Sequence, residues 1–155
     1  MIEKIVSGGQ TGADRAGLDA AIELGIPHGG WIPKGRKTED GGLPGKYRLK
    51  EMPTGSFAAR TEQNVIDSDG TLIVSHGKLN GGCAKTRRFA KKHDRPWMHV
   101  DLEETNFFKA AMDVRNWVEE NHIRILNIAG PRGSKDPEIY GATKKLLTLI
   151  IQWKG

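Results

Sequence analysis

Hydrophobic and polar positions along the chain alternate between two periods. Residues 3–7 read as a strand that runs into glycine, and residues 14–24 as a helix with Leu18, Ala21 and Ile22 on one face and Gly25 as its stop. A short strand is predicted from His28 to Ile32, then a helix over 60–68. Thr71-Leu72-Ile73-Val74 is a continuous apolar run, as expected of a strand covered on both faces in the middle of a parallel sheet. A helix over 83–93, a strand at Trp97 to Val100 and a helix over 105–121 follow, the last with Phe107, Ala111, Val114 and Val118 spaced for one buried stripe. Ile123 to Ala129 reads as a strand. The last helix, 137–153, is expected to turn Ile139, Ala142, Leu146 and Ile150 inward. Such alternation predicts an α/β fold: one three-layer, Rossmann-like domain over 1–155 with a mainly parallel central sheet.

Residues 33–57 break the pattern. They carry Pro33, Gly35, Gly41, Gly42, Pro44, Gly45, Pro53 and Gly55, and they are far longer than ordinary connections. They read as a loop or lid over a site, with a short strand near Tyr47 to Met52.

Composition changes this picture little. The chain has 155 residues, 20 glycines and a net charge of +5, which favours anionic partners. One cysteine, Cys83, permits no internal disulfide; with no signal-peptide pattern and no apolar run of membrane length, a cytoplasmic, membrane-free setting is expected. The five histidines are dispersed, so no metal site is expected. Neither a Ser/His/Asp arrangement nor a carboxylate pair can be assembled, so catalytic residues stay unassigned.

The candidate chemistry lies in glycine-rich turns at three predicted strand ends, which topology would bring to one edge of a parallel sheet. The first is Gly8-Gly9-Gln10-Thr11-Gly12, where bare backbone amides and a helix start suit phosphate. Asp14 behind it is expected to cap the helix, with contact to a ligand as the alternative. The second, Asn80-Gly81-Gly82-Cys83-Ala84-Lys85-Thr86, repeats that logic; Cys83 within it is expected to be a small packing residue, with a thiol pKa lowered by the helix start as the alternative. The third is Gly130-Pro131-Arg132-Gly133-Ser134 with Lys135, where the Arg132 fork suits a phosphate. Lys34, Arg36 and Lys37 on the long loop could close over an anion from above. The glycine spacings match neither the dinucleotide fingerprint nor a Walker loop, since Cys83-Ala84 stands where Lys and Ser/Thr are required. The basic stretch Lys85, Arg87, Arg88, Lys91, Lys92 and Arg95 reads as a solvated helix face rather than a nucleic-acid surface, because few aromatics interleave it.

These segments together resemble a known family. Ser7 to Arg15, Gly29 to Arg36 with Glu39-Asp40-Gly41, Arg60-Thr61 with Asn64-Val65, Asp67 to Thr71, Gly81-Gly82 and Leu126 to Arg132 are similar, in order, to the putative molybdenum carrier family. That family is also described as a circularly permuted YpsA-like branch of the superfamily containing the DprA and LOG proteins. The resemblance implies a DprA/LOG-like Rossmann fold, a homo-oligomer (dimer or tetramer), and a site for molybdenum cofactor (molybdopterin) or another nucleotide-like ligand, with Arg60 among its residues. LOG-type phosphoribohydrolases carry P-G-G-x-G-T-x-x-E; here Asn80 precedes the glycines and Arg88 or Phe89 falls at the glutamate. Relatives in the carrier family often have threonine where Cys83 stands. The expectation is therefore a non-catalytic carrier of a phosphate-bearing small molecule. The alternatives are a hydrolase using Glu39, Asp40 or Glu62, and a DprA-like nucleic-acid binder.

Overall fold

The computed structural model describes residues 1–152. In chain order the elements are β1 (Lys4–Val6), α1 (Ala13–Leu24), β2 (His28–Gly29), β3 (Trp31–Ile32), β4 (Lys37–Thr38), β5 (Gly41–Gly42), β6 (Lys50–Glu51), α2 (Phe57–Ile66), β7 (Gly70–Ser75), α3 (Gly81–Lys92), β8 (Trp97–Asp101), α4 (Phe107–Glu120), β9 (Ile125–Ala129) and α5 (Ile139–Gln152). The expected end of the last helix at 153 lies outside the described residues. A five-stranded sheet of order β2-β1-β9-β7-β8 has all its pairs parallel. The expected α/β, Rossmann-like architecture is what forms.

Local chemistry sets the element ends. Gly25 closes α1 in the left-handed conformation, its amide reaching the Ala21 and Ile22 carbonyls. Ser56 caps α2 through the Ala59 amide at 3.1 Å, so this helix starts three residues before the expected 60. Asn106 caps α4 through the Lys109 amide at 2.8 Å. The expected strand from His28 to Ile32 divides at Gly30: β2 joins the main sheet, while β3 turns away to pair with β6.

The two sheet faces differ in character, because successive side chains of a strand point to opposite sides. Leu72 and Val74 of β7 and Leu126 and Ile128 of β9 enter the large core with α1, α4 and α5. The alternate residues Thr71, Ser75 and Asn127 are equally buried but polar, and α2 and α3, which pack on each other, bring buried Arg60, Asn64 and Thr86. A polar layer of this kind has to be hydrogen-bonded or face a ligand. Two inward expectations fail. Ile22 is exposed, since Leu18 turns instead into a second small core with Ile32, Leu43, Tyr47 and Leu49, and in α5 Thr143 and Leu147 are buried while Ala142 is only half-buried.

That second core changes the reading of residues 33–57. The segment forms the antiparallel pair β4–β5 and the strand β6, near the expected place, and it packs apolar side chains onto α1. Tyr47 donates to Asp19 at 2.6 Å, Tyr140 of α5 donates to the same carboxylate, and Arg15 grips Asp40 at 2.8 Å. It is a fastened flap.

Candidate functional site

Strands β1, β9 and β7 are adjacent in the sheet, so their three following loops meet at one edge, as the topology predicts. They enclose, with α2 and the start of α3, a cavity of about 620 Å³, within the range of small-molecule sites. Of the expected site residues, Gly8 and Gln10 line it from the β1–α1 loop, Asp14 from α1, Arg60 from α2, Gly82 and Thr86 from α3, and Gly130, Pro131 and Arg132 from the β9 loop. Gly9, Thr11, Gly12, Lys34, Arg36, Gly81 and Ser134 are not on its wall.

The first glycine loop is not an open anion cradle. The Gly9 amide donates to Ser7 Oγ at 3.3 Å, Thr11 to Gln10 Oε1 at 3.0 Å and Ala13 to the Pro131 carbonyl at 3.2 Å. The Gly8 and Gln10 amides turn towards the Asp14 carboxyl. Its glycines answer to packing: a Cβ on Gly8 would collide with the Arg60 guanidinium, and one on Gly12, whose φ is +81°, with the Pro131 carbonyl. Asp14 does not cap α1, whose N-cap is Gly12. It lines the cavity instead. Burial pushes its pKa up to about 6, against the opposing pull of Arg60, the Gln10 amide, Arg15 and the Gly8 amide.

Arg60 is 6% exposed. Its Nη1 donates to the Gly8 carbonyl and its Nε to Thr61 Oγ1 at 3.3 Å, while Nη2 finds no acceptor among the described residues. Burial lowers its pKa, and Asp14 opposes that shift. A buried guanidinium whose Nη2 donors are unfilled on a cavity wall is the arrangement that a ligand completes.

The second loop holds the open amides. Asn80 makes no side-chain cap on α3, and its carbonyl accepts from Cys83 and Ala84, leaving the Gly81 and Gly82 amides at the helix start without intrahelical partners. Nothing approaches Gly82 within 4 Å of where a Cβ would stand, and Lys135 Nζ lies 3.7 Å from the same point on Gly81. Lys78, Lys85 and Lys135 share this part of the wall. Thr86 gives its proton to the Gly82 carbonyl at 3.0 Å. The lowered thiol pKa, the alternative for Cys83, does not hold: burial pushes its thiol up to about 11, with Asp14 adding to the shift and Lys135 opposing it.

The third loop is tied to the flap by Glu39. Its carboxylate accepts from Thr11 Oγ1, from Ser134 Oγ at 2.6 Å and from the Ser134 amide at 3.1 Å, with Arg132 Nε at 3.4 Å. Hydrogen bonds from Ser134 and Thr11 lower the Glu39 pKa. Thr11 and Ser134 therefore serve a protein carboxylate. The flap cations do not close over the cavity either: Arg36 donates to the Leu43, Pro44 and Tyr47 carbonyls at 2.7–3.0 Å, and Lys37 lies 4.9 Å over the Phe57 ring. Lys34 is exposed on the flap.

Glu39, Asp40 and Glu62 are all engaged away from the cavity, Glu62 by His93 at 2.7 Å and Lys92 at 2.9 Å. The carboxylates on its wall are Asp14 and Asp136. Asp136 Oδ2 pairs with His76 Nδ1 at 2.6 Å, a contact across 60 residues that no local pattern announces. Asn64 and Asn127 on the wall are also beyond the sequence reading, although an asparagine within Ile125-Leu126-Asn127-Ile128-Ala129 is a legible signal, since a buried polar residue in an apolar strand needs a partner. The basic stretch of α3 is dispersed: Arg87 and Lys91 stack over Trp97, Lys92 pairs with Glu62, and Lys85 faces the cavity. Arg88 and Phe89, at the LOG glutamate position, are not on the wall.

A family model described as "Circularly permutated YpsA SLOG family" matches residues 5–151. A crystal structure from Syntrophus aciditrophicus SB, described as a "putative molybdenum carrier protein", is 55% identical and superposes with a TM-score of 0.96 over 97% of this chain and 95% of that one. No curated protein matches the chain.

Proposed function

The chain belongs to the circularly permuted YpsA SLOG family, and from that premise we propose that it binds, without turning over, a phosphate-bearing ligand with a flat heterocycle, molybdenum cofactor being the leading candidate cargo. The observation that carries this reading is the charge of the cavity. Among the described residues, Arg60, Lys78, Lys85 and Lys135, with Arg132 shared with Glu39, stand against Asp14 and Asp136 around the Gly82 amide at the start of α3. The phosphate belongs there rather than at α1, where Asp14 would repel it. Among the described residues no group of three or more His, Cys, Asp or Glu side chains is set to hold a metal ion. The likeness to a protein described as a molybdenum carrier agrees with this choice.

Protein isolated from molybdate-fed cells is expected to retain pterin fluorescence together with molybdenum, and inorganic pyrophosphate is expected to displace a bound nucleotide. Lys135→Ala weakens binding roughly tenfold, the scale of one hydrogen bond to a charged group. A protein that retains no pterin and binds no pyrophosphate is not a carrier of this kind.

One observation favours a hydrolytic second reading. Asp136 Oδ2 lies 2.6 Å from His76 Nδ1, and both residues line the cavity, an imidazole–carboxylate pair of the kind that orients a general base. Release of free base from nucleoside monophosphates, lost in His76→Asn, would establish it. The homo-oligomer implied by the family belongs to this proposal too, and sedimentation of the purified chain tests it.

A further inference from the structure

The α1–α2 wall of the cavity has a chemistry that phosphate does not satisfy. Asp14 presents a carboxylate, which accepts hydrogen bonds and donates none. Arg60 Nη2 presents an unfilled donor on a side chain 6% exposed. The complementary ring edge carries N–H donors for the carboxylate and a carbonyl for the guanidinium. A 2-amino-4-oxopyrimidine edge has these: the ring N–H and the exocyclic amine point the same way, and the oxo group stands beside them. Guanine and pterins share this edge. A 6-aminopurine offers one N–H and sets its ring-nitrogen lone pair against the carboxylate.

We propose that Asp14 and Arg60 form a base-selecting subsite that admits a 2-amino-4-oxo heterocycle and rejects a 6-amino one, with the phosphate directed to Lys135 and the Gly82 amide. This rests on the reading of the cavity as a phosphate-ligand site. Burial raises Asp14 only to about 6, so its ionised, acceptor-only form prevails at neutral pH.

The test measures binding of GMP, AMP, 6-hydroxymethylpterin and inorganic pyrophosphate to the full chain, in wild type and in Asp14→Asn. Wild type is expected to prefer GMP over AMP by about tenfold or more, the discrimination a bidentate base contact supplies. Asp14→Asn is expected to erase or invert that preference, because an amide can donate to the adenine ring nitrogen and accept from its amine. Both GMP and the pterin support the subsite, and whichever binds more tightly names the source of the ring. Equal binding of AMP and GMP to wild type, or an equal loss of both in the variant, overturns the subsite. If pyrophosphate still binds in that case, the phosphate reading stands alone; if pyrophosphate and both nucleotides fail to bind, both readings fall.

Discussion

Asp14 shows most clearly how burial of one carboxyl on a cavity wall bears on stability. Its folded-state pKa of about 6 lies above the ordinary carboxylate value, so its contribution to stability is fullest below about pH 4 and is lost as pH rises through 6. Asp14→Asn should therefore stabilise the fold at pH 7.5 by about 1–2 kcal/mol and lose that advantage near pH 4, as thermal unfolding at the two pH values will show. Asp40 behaves in the opposite sense. Its hydrogen bonds from Arg15 and Thr38 hold its pKa down to about 2, so its stabilisation is present above the ordinary carboxylate range and is lost only as pH falls towards 2. Gly12 is fixed by a different demand: Gly12→Ala strains a positive φ and presses a methyl onto the Pro131 carbonyl, and it should cost about 1–3 kcal/mol and lower the melting temperature.

Among the elements, the flap carries the sharpest expectation. Its place over α1 depends on Leu43, Tyr47 and Leu49 in the small core and on Asp19, which binds both Tyr47 and Tyr140. Tyr47→Phe should raise hydrogen exchange across 41–51 while leaving β7 and β9 protected, since the sheet does not depend on that contact. Glycines and prolines in 33–57 announced an irregular segment. That the segment is held fast was not legible, because Asp19 lies 28 residues from Tyr47 and 121 from Tyr140. The α2 start was misplaced for a smaller reason, the Ser56 cap being two residues from Thr54 and its own turn.

At the scale of the molecule, the candidate site and the large apolar core lie on opposite faces of one sheet. Leu72→Ala, on the apolar face, should destabilise by about 2–5 kcal/mol without changing ligand preference. Substitutions on the polar face should do the reverse. Ligand binding through Asp14 should weaken as pH falls below about 6, with Arg60 of α2, Arg15 of α1 and the Cys83 thiol of α3 facing it. Titrating guanosine, which lacks the phosphate that itself takes up a proton at about pH 6, between pH 5 and 8 in wild type and in Asp14→Asn checks this. Phosphate affinity should also fall with salt, as expected for the cationic part of the wall.

The strand–helix alternation and the three glycine turns were decided by the sequence itself, because periodicity and chain reversal are local properties of neighbouring residues. So was the order of segments that marks the family. Which turn is open to a ligand was decided only by tertiary structure. A backbone amide is available or spent according to what the rest of the chain brings to it, and here Pro131, Asp14 and Arg60 fill the first turn, Glu39 draws Thr11 and Ser134 into the flap, and Gly81–Gly82 are left free.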